Sequence, residues 1–302
     1  MSIFINTPNS NIGRALASRL LDAGERITVL SRDKKKVEEL RRRGARVFEG
    51  SFEDPALLAE TLEGAESLFW LTPPPARPDY YVWAVKCAKQ AAAAAKKAGV
   101  RRAVVLSSAG AQSGPGTGPV GPAREMENEF EAALPAVVSL RPGIFMENFL
   151  QSTDMIAKAG QVFLPIPGGK RWPVVATTDI ADRAAGWLLD RGWSGHHRVG
   201  VHGPKDLSAE EAVAIISSEL GKPVKLVEAT PDEARGAMKG MGMPDFLVEI
   251  VLEMYGAYRD GRMDPAEPRT PDTTTPTTLA EFARTTLVPT IKAKLAATEV
   301  HI

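Results

Sequence analysis

The stretch Ile3-Phe4-Ile5-Asn6-Thr7-Pro8-Asn9-Ser10-Asn11-Ile12-Gly13 changes its hydrophobic period part-way along. Ile3 to Ile5 form a short apolar run, and Asn6 to Asn11 are turn formers. Ile12, Leu16, Leu20 and Leu21 then recur at helical spacing. This predicts a strand, a turn and a helix in succession. Gly24 stands where the end of a helix commonly adopts positive φ, and Ile27-Thr28-Val29-Leu30 predicts a second strand running into Ser31-Arg32-Asp33.

Strand, crossover helix and strand within about thirty residues is the opening of a doubly wound α/β fold, in which phosphates settle at the N-terminus of the first helix because free amides and the helix dipole favour anions there. The loop departs from the usual dinucleotide fingerprint, which places glycines for a tight turn, for close approach to the pyrophosphate and for helix packing. Only Gly13 stands at such a place, with Thr7 and Ser10 where glycine is expected. Asn9 and Asn11 tolerate left-handed φ, and Ser10 or Asn11 can cap the helix, so the loop can keep its shape. Pro8 donates no amide. The plainer alternative is a crossover turn that binds nothing.

Downstream the alternation continues. Helix is predicted over Lys34–Arg43, Pro55–Leu62, Tyr80–Ala98 and Ala123–Ala133, and strand over Ala45–Phe48, Ser67–Leu71, Ala103–Leu106 and Val137–Leu140. Ser67–Leu71 is apolar on both faces, as a central parallel strand should be. Six strands thus present their C-terminal ends on one edge, the ligand-carrying edge of an open α/β sheet. Gly and Pro dominate from Gln112 to Pro122, which reads as a long mobile loop. After Asn148 the pattern changes: Asp179–Leu189 is an amphipathic helix, Ser208 with Glu211 makes a capping box, and a methionine-rich apolar face runs from Met238 to Tyr258. The expected organisation is a doubly wound parallel sheet over residues 1–150, with 173–202 returning to it. The rest of 151–302 is expected to form a smaller α+β lid or substrate lobe without a sheet core of its own.

Composition sets limits. The chain has 302 residues, 44% hydrophobic and 25% charged, with a formal net charge of zero, so nothing draws it over long range to nucleic acid or an anionic membrane. No apolar run reaches membrane-spanning length, and Met1 leads directly into a core strand with no room for a signal peptide, so a cytoplasmic protein is expected. Cys87, the single cysteine, allows no internal disulfide and sits in a helical pattern as a buried, inert thiol. The four histidines lack metal-ligand spacing, and Arg41-Arg42-Arg43 reads as an exposed helix end. A small-molecule partner is expected, and a homodimer stays open.

Several segments in order, Asn6–Gly13, Leu71-Thr72-Pro73-Pro74, Ser107-Ser108-Ala109-Gly110-Ala111, Leu140-Arg141-Pro142-Gly143-Ile144-Phe145-Met146-Glu147-Asn148-Phe149, Thr178-Asp179-Ile180-Ala181 and Gly203–Ser208, resemble the NmrA-like branch of the atypical short-chain dehydrogenase/reductases. The resemblance covers nearly the whole chain. It implies a Rossmann-type fold binding NAD(P), in a branch that holds reductases of quinones and related molecules as well as regulators that sense NADP without turnover. The nucleotide site it implies comprises Thr7, Asn9, Ser10, Asn11, Ile12 and Gly13 in the first loop, Arg32, Ser51 and Phe52 after the second and third strands, and Thr72, Pro73, Pro74, Ser107 and Phe145 near the nicotinamide. Relatives usually carry glycine at the place of Ser10 and an acidic residue at that of Ser51. The first change narrows the pyrophosphate pocket and the second removes an acceptor for the adenine amino group, which leaves loss of the cofactor as an alternative. Arg32, at the end of the second strand, stands where a guanidinium meets a 2′-phosphate and so favours NADP(H) over NAD(H).

The expected activity is reduction of a small hydrophobic, aromatic or quinone-like substrate. A cofactor-independent isomerase or lyase and an NADP sensor are the rivals. Tyr80, Tyr81, Phe145, Met146 and Asn148 are the candidate substrate contacts, with Trp83 and the Met238-Met241-Met243 group as further lining or core. No tyrosine has a lysine four residues on, as ordinary short-chain reductases require for a phenolic acid. Arg124 falls near the place where isoflavone-reductase-like relatives carry a lysine. It stays protonated at neutral pH, so it can polarise a carbonyl but not donate a proton. Ser107 and Ser108, at a strand end, are the remaining catalytic candidates.

Overall fold

The computed structural model describes residues 2–73 and 77–299. It begins with β1 (Ser2–Ile5), α1 (Asn11–Asp22) and β2 (Ile27–Ser31), the crossover unit expected from the first thirty residues. Ser10 is the residue that caps α1, and Gly24 follows it at φ 78°. Then come α2 (Glu38–Arg42), β3 (Arg46–Glu49), α3 (Pro55–Thr61), β4 (Ala65–Trp70), α4 (Tyr80–Lys97), β5 (Arg102–Leu106), α5 (Ala123–Ala133) and β6 (Ala136–Pro142). The second half contributes β7 (Ile144–Phe145), α6 (Thr153–Ala159), β8 (Gln161–Leu164), β9 (Arg171–Val175), α7 (Thr177–Leu189), β10 (Gly195–Val201), β11 (Asp206–Ser208) and α8 (Ala209–Leu220). It ends with β12 (Lys225–Glu228), α9 (Pro231–Gly240), α10 (Asp245–Arg259), α11 (Leu279–Phe282) and α12 (Val288–Glu299).

The main sheet has seven strands in the order β10-β6-β5-β4-β1-β2-β3, and β1 pairs in parallel with both β2 and β4. The chain winds outward from β1 to β3, then returns to β4 on the other side of β1, so its direction reverses between β1 and β4. A crevice opens at such a point because successive helices leave for opposite faces. Phe4 and Ile5 on β1 and Phe69 and Trp70 on β4 are fully buried, as strands covered on both faces require. Among the described residues, no helix is long and apolar enough to cross a membrane.

The chain divides into two compact units. Met1–Pro115, Pro119–Arg141 and Ile180–Val199 form the first, and Gly116–Gly118, Pro142–Asp179 and Gly200–Ile302 the second. The second unit corrects an expectation, for it does build sheets of its own. Strands β11-β9-β7 form one and β12-β8 another, over a core that includes Phe149, Val162, Val174, Leu207, Ile216 and Ile291. These strands are only two to five residues long and pair across wide sequence gaps, so no local period announces them. The loop from Gln112 to Pro122 is also not the free segment expected. Gly118 donates its amide to Glu253 (3.1 Å), Arg262 donates to the carbonyl of Gly116, and a Cβ on Gly118 would overlap the Ile250 carbonyl oxygen on α10. Two turns of 3₁₀ helix, Ala111–Ser113 and Gly118–Val120, order the rest of it. Its glycines serve close docking, which composition alone does not separate from mobility.

Candidate functional site

The first crossover loop is built around the Thr7 carbonyl. Ser10 donates to it through its amide (3.2 Å) and its hydroxyl (2.9 Å), and the same hydroxyl accepts from the Gly13 amide at 2.9 Å. Gly13 has to lack a side chain, since a Cβ would overlap the Thr7 carbonyl oxygen and lie 2.9 Å from Ser10 Oγ. The loop closes without left-handed asparagines, for no non-glycine residue among those described has positive φ. Ser10 therefore does something other than what its place in the pattern suggested. Its hydroxyl is folded into the turn as a cap, so its polar end is spent on the loop itself.

That N-terminus leaves donors open. In the first turn of α1 the Asn11 and Ile12 amides have no intrahelical acceptor. Thr7 Oγ1 and Asn9 Oδ1 are enclosed and have no hydrogen-bond partner among the described residues. The orientation of the Asn9 amide follows from its neighbours. Ser31 Oγ spends its one hydrogen on the Asp33 carbonyl (2.7 Å), so it must accept from Asn9 Nδ2 (2.7 Å), which leaves Oδ1 as an acceptor without a partner. A hydroxyl donor, two amides and a carboxamide acceptor match a phosphate beside a sugar or base. The residues present thus fit a dinucleotide. Arg32, just after β2, is exposed, with no ion pair among the described residues.

Asn6, whose role the sequence alone does not show, joins the two strands at the point where the winding reverses. Its Nδ2 donates to the Leu71 carbonyl and its Oδ1 accepts from the Leu71 amide, both at 2.9 Å, tying the end of β1 to the end of β4. A polar residue where an apolar strand meets its turn was the available signal. After Leu71, Thr72 accepts from Trp70 Nε1 and donates to Met126 Sδ, each at 3.1 Å, and Pro73 is half-buried. Pro74 lies outside the described residues. Ser51 is half-buried and accepts from the Glu53 amide at 3.2 Å, a local turn contact. Phe52 packs between Trp70 (5.2 Å between centroids) and Trp83 (6.0 Å).

The catalytic candidates lie around a buried carboxylate. Glu127 on α5 is fully buried and binds Arg141 of β6 in a fork, through Nε at 2.8 Å and Nη2 at 2.6 Å. Ser107 donates its hydroxyl to Glu127 Oε1 at 2.5 Å, Arg124 Nη1 lies 3.3 Å from Oε2, and Arg198 Nε 3.5 Å from it. Ser107 is thus committed to the network rather than free to donate to a substrate. Arg124 keeps the rest of its guanidinium available, with a third of the side chain exposed. Ser108 donates to the adjacent Ala109 carbonyl, a local contact. Glu127 sits on the stripe Ala123, Met126, Glu127, Phe130, where a charge in an apolar face announced a buried partner.

The proposed substrate contacts divide. Tyr80 is buried against Trp83, its phenol pushed up to about 12 by desolvation, and Tyr81 is half-buried, its hydroxyl donating to Glu125 at 2.6 Å. Desolvation first and Glu125 second push Tyr81 up to about 12 as well. Both are therefore weaker acids than a free phenol, and Tyr80 is core. Met146 is fully buried in the core of the second unit, a correction to its expected role as a lining residue, whereas Phe145 is half-buried and Asn148 exposed in that unit. Met238 is buried with Met243 packed beside it, and Met241 is exposed. Cys87 is free and buried, its thiol pushed up to about 11 by that burial.

Against this geometry, the NmrA-like family matches residues 3–283. The chain belongs to the NmrA-like family. An NAD(P)H azoreductase of Xenophilus azovorans is 32% identical to it over 249 residues, 81% of this chain and 82% of its own length. A (4-alkanoyl-5-oxo-2,5-dihydrofuran-3-yl)methyl phosphate reductase of Streptomyces griseus is 31% identical over 261 residues, 86% and 88% of the two chains. Among solved structures, an NADPH-dependent quinone oxidoreductase of Escherichia coli in complex with NADPH superposes with a TM-score of 0.81 at 21% identity, over 93% of this chain and 98% of that one. This last likeness is one of fold.

Proposed function

We propose that this NmrA-like protein is an NADPH-dependent reductase of small aromatic or quinone-like molecules. The observation that carries it is the first crossover loop, where enclosed, unpartnered Thr7 Oγ1 and Asn9 Oδ1 flank the open amides of α1. Buried polar atoms are rarely left unpaired, and a loop that leaves two of them at a helix N-terminus is shaped for a ligand. Relatives that reduce small molecules supply the reaction class.

Asn11 and Ile12 would hold the pyrophosphate through their amides, with Thr7 donating beside them, and Asn9 Oδ1 would accept from a ribose hydroxyl. Arg32 would meet a 2′-phosphate, which selects NADPH over NADH. A bound nicotinamide would supply hydride. Arg124, fixed at one nitrogen by Glu127 and otherwise open, would polarise the acceptor without giving up a proton. Asn6 keeps the ends of β1 and β4 in register, and so sets the width of the crevice that receives the nicotinamide ring.

The test is calorimetric titration of NADPH and NADH against the full chain, followed by NADPH oxidation at 340 nm with a naphthoquinone and with an azo dye as acceptors. NADPH binding with turnover of either acceptor is expected. Binding without any turnover would make the protein a sensor instead, and no heat at millimolar nucleotide would end the reading.

A further inference from the structure

Helix α10 carries Tyr255 and Tyr258, three residues apart and therefore on one face. Both rings are half-buried, and neither hydroxyl has a hydrogen-bond partner among the described residues. Desolvation raises both phenol pKa values, and Tyr255 raises that of Tyr258 further, so the two groups lie within reach of each other's charge. Neither hydroxyl is fully enclosed, so each can meet a partner arriving from solvent.

Trp172 on β9 meets Tyr258 edge to face, with centroids 5.4 Å apart and planes at 82°. Its indole is 3% exposed and Nε1 has no acceptor. An indole N–H can only donate, so nothing but an incoming acceptor atom satisfies it. Lys170 fixes the edge of the cluster. Its ammonium donates to the Tyr258 carbonyl at 2.9 Å, pairs with Asp264 at 2.9 Å and lies 5.7 Å from the Trp172 ring centroid. The result is an aromatic cluster bearing three donors with no acceptor among the described residues, all within the second unit.

We propose that Tyr255, Tyr258 and Trp172 form a subsite for a planar aromatic ligand with carbonyl acceptors, of the quinone type. Its ligand class rests on the reductase reading, but the site lies in one unit and can be loaded without nucleotide. Flat rings match the aromatic faces, and carbonyl oxygens match the unpaired O–H and N–H groups. A purely packing role for these side chains would show no preference between a quinone and its hydrocarbon.

The test is titration of 1,4-naphthoquinone and of naphthalene into the full chain by calorimetry, without nucleotide. Cys87 is too enclosed and too weakly acidic to be alkylated on that timescale. Naphthoquinone should bind about tenfold or more tightly than naphthalene. Tyr255→Phe, Tyr258→Phe and Trp172→Phe should each weaken naphthoquinone by about three- to tenfold, the worth of one hydrogen bond, and leave naphthalene within about twofold. Equal binding of the two probes overturns the proposal. So does unchanged naphthoquinone affinity in all three variants at wild-type unfolding temperature, and three ring-preserving substitutions keep the test alive should one fail to fold. Naphthoquinone bound through these residues with no NADPH oxidation would sink the reductase reading and leave the subsite. Turnover with unaltered KM in the Phe variants would do the reverse.

Discussion

Replacing Gly13 with alanine tests the loop on which the nucleotide reading depends. The new Cβ would overlap the Thr7 carbonyl oxygen and lie 2.9 Å from both the Thr7 carbonyl carbon and Ser10 Oγ. The obstacle is backbone, so the peptide after Thr7 has to swing away. That movement breaks the two bonds Ser10 makes to the Thr7 carbonyl and displaces the hydroxyl that caps Gly13. At about 1 kcal/mol net for each bond and for the cap, the loss is about 3 kcal/mol. Alanine returns up to about 1 kcal/mol through helix propensity, leaving about 2 kcal/mol. At about 2–4 °C per kcal/mol for a chain of this size, the unfolding temperature should fall by roughly 4–8 °C. NADPH affinity should fall by at least about tenfold, because the Asn11 and Ile12 amides and Thr7 Oγ1 lose their common orientation. Scanning calorimetry reads the first quantity and isothermal titration the second. An unfolding temperature within about a degree of wild type, with NADPH binding intact, would refute the argument, since it would mean that the loop tolerates a side chain at its tightest point. Ser10→Gly is the complementary case. It keeps the room and costs only a few tenths of a kcal/mol as a cap, so nucleotide affinity should not improve, and tighter binding would show that the hydroxyl obstructs after all.

Other consequences can be checked separately. Arg32→Ala should weaken NADPH by about 10- to 100-fold, the worth of a charged hydrogen bond, and hardly touch NADH, and equal losses would remove Arg32 from the 2′-phosphate. Glu127→Gln takes the charge out of the buried pair with Arg141 and should cost about 3–5 kcal/mol, read as a fall in the urea midpoint, whereas a shift under about 1 kcal/mol would contradict it. His202 is 2% exposed, and burial with the nearby Arg269 holds its imidazole below the usual 6.5. The unfolded chain takes up a proton there that the folded one refuses, so this stability is complete above about pH 6.5 and is lost as pH falls toward the lower folded value. His202→Leu should flatten the decline of stability below about pH 6.5, and parallel pH profiles would contradict this.

Much of the first unit was legible because its signals are local. A change of period at Asn6, a cap at Ser10 and a glycine after the helix are read within a few residues of where they act, and a parallel strand buried on both faces shows itself as an apolar run. Membership of the NmrA-like family was legible for the same reason, since its motifs lie at strand ends. The site was less so. Ser10 could be placed in the loop but not oriented, because whether its hydroxyl faces a ligand or the Thr7 carbonyl depends on how the turn closes. Ser107 stood at the expected strand end, yet its hydroxyl is taken by a carboxylate twenty residues on.

The amino-acid order by itself determined the crossover unit, the strand edge and where the first helix begins, since hydrophobic period and turn chemistry act over one or two turns of chain. Only tertiary contact decided that Glu127 gathers three arginines and a serine, that Gly118 seats a loop on α10, and that Tyr258 meets Trp172 across 86 residues of sequence. Each of these joins groups far apart along the chain, and their pairing is set by which faces are buried together rather than by any spacing that can be read along the sequence.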